Sequence, residues 1–353
     1  MVEALNVLLG CDVDPDRPRY GGARYDTRDD QLTWRSISEG IQLLQQVLDG
    51  IGIQAGVKPK VIFCLRADTQ MRDIYGDAAW PITKYADLWR SLEQDGHELA
   101  WHPHLWRWSN ESGCWYQETE DENWISECLE TGHAGFTKAL GKTPVTCHMG
   151  WTFHNNVSMR RISELGLRVD FSGCPGVFFG GGPGSAGTVF DNKIDWLGTP
   201  LRWYRPSEVD YRRPAGGGEA GLSVVEIPKF TTRSGVLRKV KGLAARGKRA
   251  PGTGAATAAF LQITSLPMLY SRVIAERLAC READPFFATY FHPDELLADR
   301  PRSAKNFLYS LANLEKNVKG LVRAARQDGR EVSFVTGAEA LEYMVGGTRN
   351  SGV

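Results

Sequence analysis

A chain of 353 residues, 42% hydrophobic and 24% charged, can bury a large core, and its 42 basic and 42 acidic residues leave no net field to gather nucleic acid or an anionic membrane. No window approaches the ~18 apolar residues of a membrane span, and the N-terminus reads without the basic leader and apolar run of a secretory signal. Seven cysteines without a repeating spacing fit free thiols better than a disulfide framework, so a reducing, cytoplasmic setting is expected.

Taken in chain order, Val7 to Leu9 runs into Cys11-Asp12-Val13-Asp14, so a first strand is expected to end at the aspartates. Residues 34 to 48 put Ile37, Ile41, Leu44, Val47 and Leu48 on one helical face, closing at Gly50. Val61 to Leu65 is β-branched and aromatic, a strand signal. A helix over 85–94 ends at Asp95-Gly96, and Glu98 to Trp101 then leads into His102-Pro103-His104. The same grammar repeats: a helix from Trp124 to Leu140, a strand at Pro144 to Cys147 before His148, a helix from Val157 to Leu165, and a strand from Leu167 to Phe171. Ser223 to Ile227, Phe286 to Phe291 before His292, and Val332 to Val335 after a long helix over 304–327 complete the series.

Strand–helix alternation of this kind predicts parallel strands with helical crossovers. An open doubly wound sheet would satisfy it. A distorted (β/α) barrel of seven or eight strands explains more, because reactive residues recur at the C-terminal ends of separate strands, at positions 12, 14, 102, 104, 148 and 292. The chain reads as one domain over residues 1–353, with loop-rich insertions near 172–221 and 230–260. Eight Lys or Arg fall in residues 229–249, a stretch able to meet a phosphate or an anionic lipid headgroup, or simply to form a solvated positive face.

Asp12 and Asp14 are two apart, so on an extended strand end they point the same way, and two like charges held close call for a cation. The plain alternative is an Asx turn, with Asp16 as a competitor for either role. His102 and His104 share the same spacing and aim two imidazoles at one point, donors suited to zinc, cobalt, nickel or iron; an incidental surface loop is the plain alternative. Trp101, Trp106 and Trp108 are placed to wall a pocket and stack on a sugar ring. His292 at a strand end reads as a general acid or as a satisfied core residue. His148 and His154, flanking Met149-Gly150-Trp151, read as substrate contacts or as support for a carboxylate. His97, of opposite strand parity to the other two, and His133, within a helix, read as structural. No Gly-x-Ser-x-Gly stretch, nucleotide-binding glycine loop or paired-cysteine motif is present.

With Asp12-Val13-Asp14, Gly96 to His104 and Phe291-His292-Pro293 in hand, the chain resembles the polysaccharide deacetylase superfamily, the NodB-homology group. Val145 to Trp151, Leu165-Gly166-Leu167 and Val332 to Thr336 extend the resemblance from about residue 5 to 345. The Asp-Val-Asp opening and Pro144 to Cys147 resemble the branch that deformylates an aminoarabinose carried on a polyprenyl phosphate. The resemblance implies a distorted barrel, a single catalytic domain and removal of acyl groups from sugars. It implies Asp12 as catalytic base, Asp14 and His102 as metal ligands, and His292 as general acid. Three departures stand out. The usual second metal histidine falls at Trp106, so His104 has to supply that ligand; Val13 separates the aspartates; and the arginine that orients the base is replaced near His148.

The expected chemistry is metal-assisted hydrolysis of an amide, with Asp14, His102 and His104 holding a divalent ion, zinc first, and Trp101, Trp106, His148 and Trp151 meeting the substrate. The expected partner is an acylated sugar or glycoconjugate, phosphate- or lipid-linked through the basic stretch, with peripheral membrane contact and no nucleic acid. A catalytically degenerate glycan-binding protein and an amidase acting on a non-sugar amide are the rivals.

Overall fold

The computed structural model describes residues 3–16, 33–180, 193–233, 235, 256–283, 285–299 and 309–349. The apolar runs form parallel strands of one sheet: β1 (Glu3–Val13), β2 (Ile62–Arg66), β3 (Glu98–His102), β4 (Thr146–Cys147), β5 (Val169–Asp170), β6 (Val225–Glu226), β7 (Phe286–Phe291) and β8 (Arg330–Phe334). Their order is β6-β5-β4-β3-β2-β1-β7, with β8 also paired to β1. The long β1 makes this possible: β7 pairs with Asn6 to Cys11, while β8 takes Glu3 to Val7 and β2 takes Gly10 to Val13. The sheet curls until its ends meet at one parallel bridge, Lys229 with Ala288, where the Phe230 N–H donates to the Ala288 carbonyl at 3.1 Å. The expected distorted barrel is the observed architecture.

Strand parity divides the core in two. Leu8, Ile62, Cys64, Ala100, Phe171 and Ala288 cluster inside the barrel, and Ala340 and Met344 of the last helix, Gly337–Arg349, join them. The Gly337 N–H donates to the half-buried Glu98 carboxylate at 2.5 Å and the Thr146 hydroxyl does so at 2.6 Å, tying that helix to the N-terminal ends of β3 and β4. Val7, Leu9, Cys11, Phe63 and Leu65 face the other way, into the helical layer.

Two helices depart furthest from their expected bounds. The first helix, Ile41–Ala55, follows a π-helical turn at Ser36–Gly40 and runs through Gly50 to Gly56, whose φ of +66° ends it. Its buried face continues to Ile51, so packing carries the helix past a glycine that propensity would stop at. The helix expected from 304 spans Leu311–Gln327 behind the N-cap Ser310; residues 301–308 lie outside the described residues. Of the loop-rich stretch 172–221, the described part contains an antiparallel hairpin, Phe178–Gly180 with Lys193–Asp195. Most of 230–260, and with it most of the basic stretch, lies outside the described residues. Among the described residues no helix is long and apolar enough to cross a membrane.

His97 has the structural part expected of it. Its Nδ1 accepts the Val61 N–H at 3.0 Å, and its ring meets Phe63 edge-on at 5.4 Å. Burial, with help from Lys58, pulls the imidazole down to about 4. The folded value lies below the ~6.5 of an unfolded histidine, so the stability His97 contributes is complete above about pH 6.5 and is lost as pH falls through about 4. In urea titrations the wild type should lose stability across that window, and His97→Gln should lose less. Equal losses would remove His97 from the acid sensitivity of the fold.

Candidate active site

The inward parity that places Leu8 and Gly10 in the barrel continues to Asp12, and beyond the strand end Asp14 joins it. The parity of Ile62 and Cys64 continues to Arg66, and that of Ala100 to His102, which is Arg66's register partner. The apolar interior therefore gives way to a polar cluster at the C-terminal ends of the strands. Asp14 Oδ1 accepts from Arg66 Nη1 at 3.0 Å and lies 3.2 Å from His104 Nε2, while its Oδ2 lies 3.7 Å from His102 Nε2. Asp12 Oδ1 is 2.6 Å from His148 Nδ1. His292 Nε2 stands 3.9 Å from both Asp12 Oδ2 and Asp14 Oδ2.

Burial alone would push both carboxyls up, but the surrounding imidazoles outweigh it. His148 and His102 hold Asp12 below its ordinary range, and His104 and His102 hold Asp14 well below. Among the imidazoles the balance differs. Burial opposes charge on His102, yet Asp12 and Asp14 together raise it. Burial, reinforced by Arg66, brings His104 down to about 4, which leaves it neutral.

Asp14, His102 and His104 offer donor atoms that all lie within 4.8 Å of one another. His102 Nδ1 is hydrogen-bonded to the His148 carbonyl, so Nδ1 carries a hydrogen and Nε2, on the Asp14 side, is the atom that would meet an ion. His102 Nε2 and His104 Nε2 are 3.1 Å apart, close to the ~3.4 Å ligand–ligand edge that bonds of ~2.1 Å to a tetrahedral ion would set. These three residues fit a divalent first-row ion, and His104 reaches the cluster despite its two-residue spacing from His102. Asp12, His102 and His148 form a second convergent group, but the short Asp12–His148 hydrogen bond already uses it.

His104 owes its place to three neighbours. Its backbone N–H donates to Asp68 Oδ2 at 3.1 Å. Trp106, where the resemblance expected a ligand, lies nearly parallel to its ring, 7° between planes and 5.9 Å between centroids. Gly150 lies against the ring as well: a Cβ there would stand 2.3 Å from His104 Cδ2.

The other expected residues lie as follows. Trp101 has the opposite parity to His102; it is fully buried in the helical layer, its indole N–H donating to the Ala67 carbonyl at 2.9 Å and its ring edge-on to His133. Trp106 is 1% exposed and backs His104 instead of walling a mouth. His148 is equally buried and supports Asp12, the second of the two parts read for it. His154 lies 3.3 Å from Asp170, away from the cluster. Of the four residues expected to meet substrate, Trp151 keeps partial exposure. It does so at a φ of +58°, followed by Thr152 at +56°, a strained pair of non-glycine residues beside the site.

Sequence reading missed Arg66, Asp68 and Lys229. Arg66 and Asp68 follow a strand that was recognised, and the same end-of-strand rule that singled out Asp12 and His102 would have found Arg66. Arg66 is buried, donating from Nε to Asp68 Oδ2 at 2.7 Å and from Nη2 to Gln70 Oε1 at 3.0 Å. Lys229, read as the start of a basic surface, is fully buried with its ammonium 2.6 Å from His148 Nε2. Glu295, three residues beyond His292, lies 3.3 Å from His292 Nδ1, with Gln262 Nε2 at 3.0 Å from the same atom.

No protein-family model matches the chain, and no curated protein matches it. Solved structures do. A protein from Parabacteroides distasonis, provisionally described as a glycoside hydrolase/deacetylase, superposes with a TM-score of 0.54 at 14% identity over 94% of this chain and 70% of its own. One from Mycobacterium smegmatis, provisionally described as a polysaccharide deacetylase, gives 0.51 at 16% identity over 99% of this chain and 92% of its own. The chain shares their fold.

Gly150→Ala should displace the His104 ring and weaken binding of a divalent ion by about ten- to a hundred-fold, the scale for disturbing a ligand's supports. Competition with a chromophoric chelator measures this. Unchanged affinity would take His104 out of the ligand set.

Proposed function

We propose that this chain is a metal-dependent hydrolase that removes an acyl group, acetyl or formyl, from an N-acylated sugar or glycoconjugate. The observation that carries the reading is the convergence of Asp14, His102 and His104 within one donor cluster, with Asp12 and His292 on its rim. Asp14, His102 and His104 would hold the ion, zinc before cobalt, nickel or iron. An ion held there lowers the pKa of water and polarises an acyl oxygen.

The remaining work falls to the chain's own side chains. Asp12 is ionised at neutral pH and, with Oδ1 held by His148, uses Oδ2 to take the proton of the attacking water. His292, whose Nδ1 faces the Glu295 carboxylate at 3.3 Å, presents Nε2 to the same space as the donor that protonates the departing amine. Arg66 anchors Asp14 and helps keep it ionised. The likeness of fold to proteins described as deacetylases supports the reaction class. The whole chain would serve as one catalytic domain working in the cytoplasm, and the basic stretch after Lys229 would favour a phosphate- or lipid-linked sugar.

The burial of Trp101 and Trp106 favours a second reading, an amidase on a non-sugar amide, because it withdraws two of the aromatic faces expected to stack on a sugar ring. Assays of N-acetyl and N-formyl sugars beside linear and cyclic amides separate the two.

Metal content is measured on the wild type, His102→Ala and Asp14→Ala, and turnover on the wild type and Asp12→Asn. Each ligand substitution should lower bound metal. Asp12→Asn should keep the metal and lose about 10²- to 10⁴-fold in kcat. Metal retained in both ligand variants would overturn the ligand set, and unchanged kcat in Asp12→Asn would overturn the base. A wild type that binds glycan without metal or turnover would mark the degenerate alternative.

A further inference from the structure

Lys229 occupies the bridge where the two ends of the sheet meet, and its side chain turns inward to full burial. An ammonium has three N–H donors and no acceptor. Lys229 Nζ is 2.7 Å from the Ser172 carbonyl, 3.2 Å from the Phe171 carbonyl and 2.6 Å from His148 Nε2. With both carbonyls accepting, the remaining donor is directed at the imidazole, so His148 Nε2 has to present a lone pair. The ring hydrogen is then on Nδ1, which faces Asp12 Oδ1 at 2.6 Å. Every donor and acceptor along the line is thereby assigned: Lys229 Nζ–H to His148 Nε2, and His148 Nδ1–H to Asp12 Oδ1.

The ring has little freedom to choose otherwise. Phe171 lies flat against it, centroids 4.5 Å apart and planes 9° apart, in space that Gly10 leaves open: a Cβ at Gly10 would approach Phe171 Cε2 to 2.8 Å. On the backbone, the His148 N–H donates to the Trp101 carbonyl at 3.0 Å.

We propose that Lys229 is a positioning residue for the reaction: by donating to His148 Nε2 it selects the Nδ1–H tautomer that clamps Asp12 Oδ1, leaving Oδ2 as the oxygen that receives the proton. The consequence for the reaction rests on the proposed hydrolase function, whereas the tautomer does not. The backbone bridge that closes the barrel and the side chain that orients the base then belong to one residue.

The experiment is ¹⁵N NMR of histidine-labelled protein in parallel with kinetics. In the wild type, His148 should show a protonated Nδ1 and an unprotonated, hydrogen-bonded Nε2. Lys229→Met should shift His148 towards Nε2–H and lower kcat about ten- to a hundred-fold, the scale for outer-shell partners, with KM changed less than about three-fold. His148→Asn keeps an amide donor for Asp12 without needing the lysine, so adding Lys229→Met to it should cost less than about two-fold in kcat, against the larger loss in the wild-type background. A hydrogen on Nε2 of wild-type His148 overturns the inference whatever the protein hydrolyses, and needs no variant to fold. An equal loss from Lys229→Met in both backgrounds overturns the tautomer role and leaves the lysine a structural tie. Absence of any hydrolysis together with the Nδ1–H tautomer sinks the proposed function and leaves the clamp standing.

Discussion

Two carboxylates two residues apart, at and just beyond the C-terminal end of one strand, have to be compensated before the barrel can close around them. Asp12 is 3% exposed, and Asp14 shares its cluster with two imidazoles and a guanidinium. An unpaired buried charge costs about 3–5 kcal/mol when one partner is removed, far more than the ~0–1 kcal/mol of an exposed pair. The structure answers with one buried cation for each. Arg66 bonds Asp14 directly. Lys229 reaches Asp12 through the His148 ring, and that difference divides the two acids by role: a rigidly held candidate ligand and a candidate base with one oxygen left open.

The same compensation explains why the sheet closes where it does. β6 is short, and the chain after it leaves β5 to meet β7 at the Lys229–Ala288 bridge. The side chain at that bridge enters the barrel and finds the carbonyls of residues 171 and 172 together with His148. His148 in turn serves two masters, its ring holding Asp12 and its carbonyl holding His102. The candidate base and the candidate ligands are therefore not independent, since a shift of one loop residue disturbs both.

Much of this was legible beforehand, for a definite reason. Period-two spacing along a strand fixes which residues share a face, so Asp12 with Asp14 and His102 with His104 could be paired without any knowledge of the fold. The strand–helix alternation likewise required parallel pairing. The same parity also fixes the residues beside them. Trp101, adjacent to His102, has to point into the helical layer, and Arg66 has to point into the barrel. Parity along the strand does not reach Trp106, which lies beyond the end of β3 and stacks against the His104 ring.

The linear order of residues by itself determined the strands, the facing of the acids and histidines, and their gathering at one end of a parallel sheet, because these follow from local periodicity and handedness. Only the tertiary structure decided that His104 reaches the cluster in place of a histidine four residues on. Only it decided that a lysine more than two hundred residues from Asp12 aims the imidazole beside it. Those outcomes depend on which strand ends become neighbours when the sheet curls, and on which buried charge each cation then finds. Neither distance is encoded in the spacing of any one segment.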